Sequence, residues 1–208
     1  MSRAIEELRS MEHGVIPFLG SGKMGKSCAL HTLADMLYPK RRKVMIETVE
    51  IDLSAFPGYE VVSSVDDVPP DSIAIIEDMA RTFNSRSSSN KSTLQEWVGA
   101  ISHKGILVMF TVQSLADADI AFLRSQNVIH VHKLMHSEDL RFERPEIRSQ
   151  QTIANLRIME ESQKHPEKDL RSFCYVPRYD EVLCLPIVPW WTRNNSHFLR
   201  EVKVCSKK

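Results

Sequence analysis

Residues 20–27 read Gly20-Ser21-Gly22-Lys23-Met24-Gly25-Lys26-Ser27, a complete G-x-x-x-x-G-K-S string. An apolar run at 15–19 precedes it, and a stretch with helical apolar spacing at 28–37 follows. Strand, glycine-rich loop and helix in that order make a phosphate-binding loop. Its backbone N–H groups wrap phosphate oxygens, and the helix N-terminus adds a positive dipole end. Residues Gly20 to Ser27, with Cys28 in the first turn of the helix, are therefore the nucleotide-binding candidates. Lys26 reaches the β- and γ-phosphates, and the Ser27 hydroxyl ligates Mg²⁺. The bland alternative is a glycine-rich turn with an accidental Lys-Ser, which leaves the strand and helix on either side unexplained.

A phosphate loop that hydrolyses ATP needs acids on a second strand. Ile73-Ala74-Ile75-Ile76-Glu77-Asp78 supplies four apolar residues and then two acids. The apolar run predicts a strand buried on both faces, and ligands bind at the C-terminal ends of such strands. One acid can hold the metal while the other polarises the attacking water as general base. Glu77 is assigned to Mg²⁺ and Asp78 to the water. The two residue types stand in the reverse of the usual acidic order, so the opposite split stays open. An exposed acidic turn is the alternative for the pair. The strongest strand signal, 106–112, ends in Gln113-Ser114. An amide just past a central strand can sense the γ-phosphate or position the water, although a polar residue there is common.

The 208 residues carry 27 Lys and Arg against 27 Asp and Glu, a formal charge of zero. The domain as a whole is not a basic nucleic-acid binder, so any such contact must come from a local patch or from several subunits. The N-terminus lacks an apolar signal core, and no run approaches the length of a membrane span. Four scattered cysteines fit free thiols better than a disulfide frame or a zinc site. Two histidines, His130 and His132, alternate on one strand without a third ligand nearby.

Strands and helices alternate through residue 133, which predicts an α/β fold with a mainly parallel P-loop NTPase sheet of the RecA-like type, flanked by helices. Helices are expected at 3–12, 26–38, 93–103, 116–125 and 146–163. Strands are expected at 14–19, 44–49, 72–76, 106–112 and 128–132, with a short edge strand at Val61-Val62. Two strand-like runs, 172–176 and 182–187, flank Pro177-Arg178-Tyr179-Asp180 and predict a C-terminal β-hairpin. One domain is expected over 1–208. It divides into an N-terminal helix (1–13), a nucleotide-binding core (14–135) and a C-terminal helix and hairpin extension (136–208).

The phosphate loop, the acidic strand end, a helix closing near His103-Lys104-Gly105 and a strand closing in Thr111-Val112-Gln113-Ser114 together resemble the FtsK–HerA superfamily of DNA-pumping ATPases. Within it the chain is most similar to the genome-packaging ATPases of internal-membrane icosahedral viruses. The resemblance covers 14–135 by motif and reaches about 190 by layout, to Pro189-Trp190-Trp191. It implies ATP and Mg²⁺ as cofactors, a homo-hexameric ring and double-stranded DNA threaded through it. It also implies capsid or portal vertex partners, and residence in the host cytoplasm or with the virion. The family often carries Arg-His before the glycine of the glutamine strand, where this chain has Ser102-His103-Lys104. A cation acting on the neighbouring subunit's phosphate would then come from Arg81, Arg86 or Lys104. For DNA contact, Arg86 and Lys91 in the polar loop 84–92 are better placed than the dense run Lys40-Arg41-Arg42-Lys43, which falls at the sheet edge opposite the nucleotide. Trp190-Trp191 fits a core cap better than a partner anchor.

Two rival functions remain. A nucleotide or small-molecule kinase would use 139–148 as an arginine-bearing lid, without a second-substrate signature beside it. A nucleotide-gated virion assembly factor would turn over slowly and ignore DNA.

Overall fold

The computed structural model describes residues 2–47, 53–79, 99–115, 127–192 and 195. The 84–92 loop, the 116–125 helix, the start of the 93–103 helix and the residues Arg81, Arg86 and Lys91 lie outside the described residues.

One eight-stranded sheet organises the chain: β1 (Gly14–Leu19), β2 (Arg42–Ile46), β3 (Tyr59–Val62), β4 (Ser72–Ile76), β5 (Leu107–Val112), β6 (Val131–His132), β7 (Phe173–Val176) and β8 (Glu181–Cys184). Their order is β3-β2-β4-β5-β1-β6-β7-β8. Strands β1 to β6 pair in parallel, and β7 joins β6 antiparallel and leads into the β7–β8 hairpin. The expected extension of the sheet by a C-terminal hairpin is thus observed. Cys174 faces Leu183 across it, and Cys184 faces Phe173.

Alternation along the central strands builds two cores. Ile16, Phe18, Ile73, Ile75, Leu107 and Met109 face α1 (Arg3–Ser10) and α2 (Lys26–Leu37). Val15, Leu19, Ala74, Ile76, Val108 and Phe110 face Ile101, Val65 and Met135 on the other side. Being apolar on both faces is what makes these strands central and parallel. The α1 helix is capped by the Ser2 hydroxyl, which accepts from the Ile5 N–H at 3.2 Å.

Strand β6 is shorter than the 128–132 expected. Val15 and Leu19 exchange bonds with the 127–133 segment, so the donor missing from Pro17 faces that side. Pairing there shrinks to Phe18↔Val131 and Leu19↔His132, with one further bridge at Val15↔Val128. Beyond β6, α3 (Ser137–Leu140) and α4 (Pro145–Lys164) cross back to the hairpin. Pro145 opens α4 at a position where no N–H is needed. Gln151 of α4 is buried, 2.8 Å from His132 Nδ1, while its amide donates to the Lys133 carbonyl at 2.7 Å.

Candidate nucleotide and metal site

Because β1, β4 and β5 run parallel, their C-terminal ends share one edge. Gly22, Lys23 and Gly25–Ser27 of the loop, Glu77-Asp78 and Gln113 therefore meet around one cleft of about 710 Å³. Gly25, the N-cap of α2, has φ 79°, and a Cβ there would lie 2.9 Å from the Arg171 carbonyl oxygen. Only glycine both adopts that conformation easily and leaves that space. The Lys26 ammonium donates to the Gly20 and Ser21 carbonyls at 2.7 and 2.9 Å. Burial lowers its pKa to about 8, against the attraction of Glu77, Asp78 and Asp139.

Glu77 and Asp78 lie just past β4, which ends at Ile76, where the backbone turns. Glu77 points inward and is 4% exposed. Its Oε2 accepts from Ser27 Oγ at 2.8 Å and from Thr111 Oγ1 at 2.9 Å, and His31 Nε2 lies 3.1 Å from Oε1. Burial pushes its pKa up, but the His31, Ser27 and Thr111 contacts outweigh burial and hold the carboxyl below its usual range. Asp78 turns outward at φ 55°, a left-handed conformation that aspartate tolerates, and its N–H donates to Thr111 Oγ1 at 2.8 Å. Asp78 and Gln113 are both exposed, and both line the cleft with Lys26 and Ser27.

A serine hydroxyl against a carboxylate at the mouth of the loop fits Mg²⁺. This ion takes hard oxygen donors and completes its shell with water and phosphate rather than a full protein cage. No group of three or more His, Cys, Asp or Glu that could hold a metal occurs among the described residues.

Several contributors were not singled out from sequence. Thr111 ties Glu77 to Asp78, and its signal was a lone hydroxyl inside an apolar strand. His31 follows Ser27 by four residues, so both fall on one face of α2 and reach Glu77. The far wall of the cleft is C-terminal: Asp169, Arg171, Ser172, Pro186, Ile187 and Trp191. The Arg171 guanidinium pairs with Asp169 at 2.5 Å, and its bonds hold the Asp169 carboxyl at a pKa of about 2. Ser21 Oγ donates to Asp139 and accepts from the His136 N–H at 2.7 Å, which fastens the phosphate loop to α3.

Two basic features lie elsewhere. Lys104 precedes β5, at the opposite end of that strand from Gln113, where its carbonyl accepts from the Asp71 N–H at 2.8 Å. In the run 40–43, Arg41 bonds backbone carbonyls, Arg42 pairs with Glu60 at 2.6 Å, and Lys43 is buried 3.1 Å from Asp35.

The sheet and the loop together make the P-loop NTPase fold. No family model matches the sequence and no curated protein matches it, but solved structures do. The genome packaging NTPase B204 from Sulfolobus turreted icosahedral virus 2, in complex with ATPγS, matches at TM-score 0.50 and 13% identity, covering 85% of this chain and 98% of that one. The DNA-packaging ATPase B204 from Sulfolobus turreted icosahedral virus matches at TM-score 0.49, 13% identity and the same coverages, 85% and 98%. The N-terminal domain of zonular occludens toxin from Neisseria meningitidis matches at TM-score 0.42 and 23% identity, covering 58% of this chain and 76% of that one. At these identities the likeness shows a shared fold, in agreement with the sheet and helix arrangement expected from the motifs. No helix among the described residues is long and apolar enough to cross a membrane.

Proposed function

We propose that this chain is an Mg²⁺-dependent ATPase that drives double-stranded DNA, packaging a viral genome into a preformed capsid. The observation that carries the hydrolase reading is the Ser27–Glu77 contact of 2.8 Å at the mouth of the loop, with Asp78 and Gln113 lining the same cleft. The fold shared with a genome packaging NTPase in complex with ATPγS supports the packaging part.

The loop amides and Lys26 hold the phosphates, replacing the carbonyl partners that Lys26 now has. Ser27 and Glu77 would hold Mg²⁺, which would supply positive charge against the phosphates. Asp78, exposed at the cleft, accepts the proton of the attacking water, and Gln113 orients that water or senses the γ-phosphate. The burial of Glu77 and the exposure of Asp78, where the backbone turns after β4, support this division of labour. In the proposed homo-hexameric ring, Arg81, Arg86 or Lys104 of a neighbour completes the phosphate site. Lys104 lies too far from its own cleft to act in cis, and Arg86 and Lys91 are the DNA-contact candidates. Capsid or portal proteins are the proposed docking partners, in the host cytoplasm or with the virion.

Phosphate release measured with and without linear double-stranded DNA tests the reading. DNA is expected to stimulate hydrolysis severalfold. Phosphate transfer to a nucleoside monophosphate would establish the kinase instead, and slow turnover indifferent to DNA would establish the assembly factor.

A further inference from the structure

His31 is the one fully buried histidine within reach of the proposed metal carboxylate among the described residues. It projects from α2 one turn after Ser27. Nε2 lies 3.1 Å from Glu77 Oε1, and Nδ1 lies 3.0 Å from the Tyr59 hydroxyl. Both atoms are buried, and because an ionised carboxylate only accepts, a hydrogen bond across this contact requires the proton on Nε2. Four aromatic rings enclose the imidazole: Phe56, Tyr59, Trp190 and Trp191, with centroids 5.2–5.6 Å away. Trp190 is itself anchored, its Nε1 donating to Asp35 Oδ2 at 2.7 Å. This shell keeps water from the Nε2–Glu77 contact, where a second acceptor would let the carboxylate turn.

The other oxygen of Glu77 is fixed by Ser27 and Thr111. A carboxylate held at both oxygens has one orientation. Metal-ligating groups held this way bind more tightly than free ones, because the ordering cost falls before the ion arrives.

We propose that His31 is a positioning residue that orients Glu77 for Mg²⁺, with Tyr59 orienting His31 in turn. The inference rests on the nucleotide–Mg²⁺ reading above and adds the group that sets metal affinity within it. His31 touches neither nucleotide nor metal. Its removal acts on the metal-dependent part of binding and leaves the phosphate loop intact.

The test measures ATPγS affinity of the whole chain in EDTA and across an Mg²⁺ titration, for the wild type, His31→Leu, His31→Gln and Tyr59→Phe. His31→Leu is expected to match the wild type in EDTA and to need at least about tenfold more Mg²⁺ for the metal-dependent gain. His31→Gln, which can still donate toward Glu77, recovers most of that loss, and Tyr59→Phe shifts the titration in the same direction by less. A folded His31→Leu with the wild-type Mg²⁺ midpoint overturns the proposal. Should His31→Leu fail to fold, an unchanged midpoint in Tyr59→Phe overturns it. A loss of affinity already present in EDTA assigns His31 to packing of α2 and also overturns it. A wild type that binds no ATPγS in either condition overturns the nucleotide reading, a distinct result that removes this inference with it.

Discussion

Lys26 and Arg41 sit at opposite ends of the same sheet, and both are cations pressed against backbone carbonyls. Arg41 donates to Glu12 at 2.6 Å, to Asp71 at 3.3 Å, to Met11 at 3.4 Å and to Gly105, reaching the chain just ahead of β1, β4 and β5. These carbonyls belong to three separate segments, and the planar guanidinium spans them in a way a lysine ammonium does not. Lys26 donates only to two adjacent carbonyls of its own loop, beside a 710 Å³ cleft that a phosphate can enter. One cation closes an end of the sheet and the other serves an open end. A local density of positive charge is therefore a poor guide to ligand sites: Arg41 and Lys43 of the basic run are engaged within the fold, and one lysine in a glycine loop marks the site.

This contrast yields graded predictions. Asp78→Asn removes only the acceptor for the water proton, so turnover should fall about a thousandfold while ATPγS affinity stays within a few-fold. Steady-state phosphate release beside equilibrium binding checks this, and normal turnover would move the base to Glu77. At the closed end, Arg41→Ala should lower unfolding stability by about 2 kcal/mol, since charge-assisted bonds to several carbonyls are lost. Its ATPγS affinity should not change. Urea denaturation and binding together decide the matter, and a selective loss of nucleotide affinity would erase the distinction between the two ends.

The smallest effect is one of pH. Lys26 must be charged to bind phosphate, and in the free protein its pKa is lowered to about 8 by burial. Below that pH affinity should be flat. Above it an increasing fraction is neutral, binding must take up a proton, and affinity should fall toward about tenfold per pH unit. Calorimetry in buffers of different ionisation enthalpy would detect the proton. Proton release, or no proton at all, would contradict the assignment of Lys26.

How much of this was legible beforehand differs between the same two ends. Strand β1 matched its expected residues 14–19, and β5, the acidic pair and the glutamine stood in order, because each carries its own local signature. The order of the two acids was legible in the sequence, but the left-handed turn at Asp78 that separates them was not. Thr111, His31 and the wall of Asp169, Arg171 and Trp191 were not, since each matters only through what the fold brings beside it. His31 was hidden in a helix that is buried on most of its circumference, and only its spacing of four from Ser27 could have flagged it. The shortening of β6 followed from Pro17, whose missing donor counts only once the neighbouring strand is known. Arg41 stood in the sequence as one member of a dense basic run, because sequence spacing does not reveal that three strand starts converge on it.

The central claim is that the end of the sheet carrying Gly20–Ser27 and Glu77 holds a nucleotide through Lys26. Equilibrium binding of ATPγS with Mg²⁺ by the wild type and by Lys26→Ala tests it most directly. The account predicts saturable wild-type binding and a loss of at least about a hundredfold in the variant, as expected when charge-assisted phosphate contacts are removed. Equal affinity in the two proteins would contradict it.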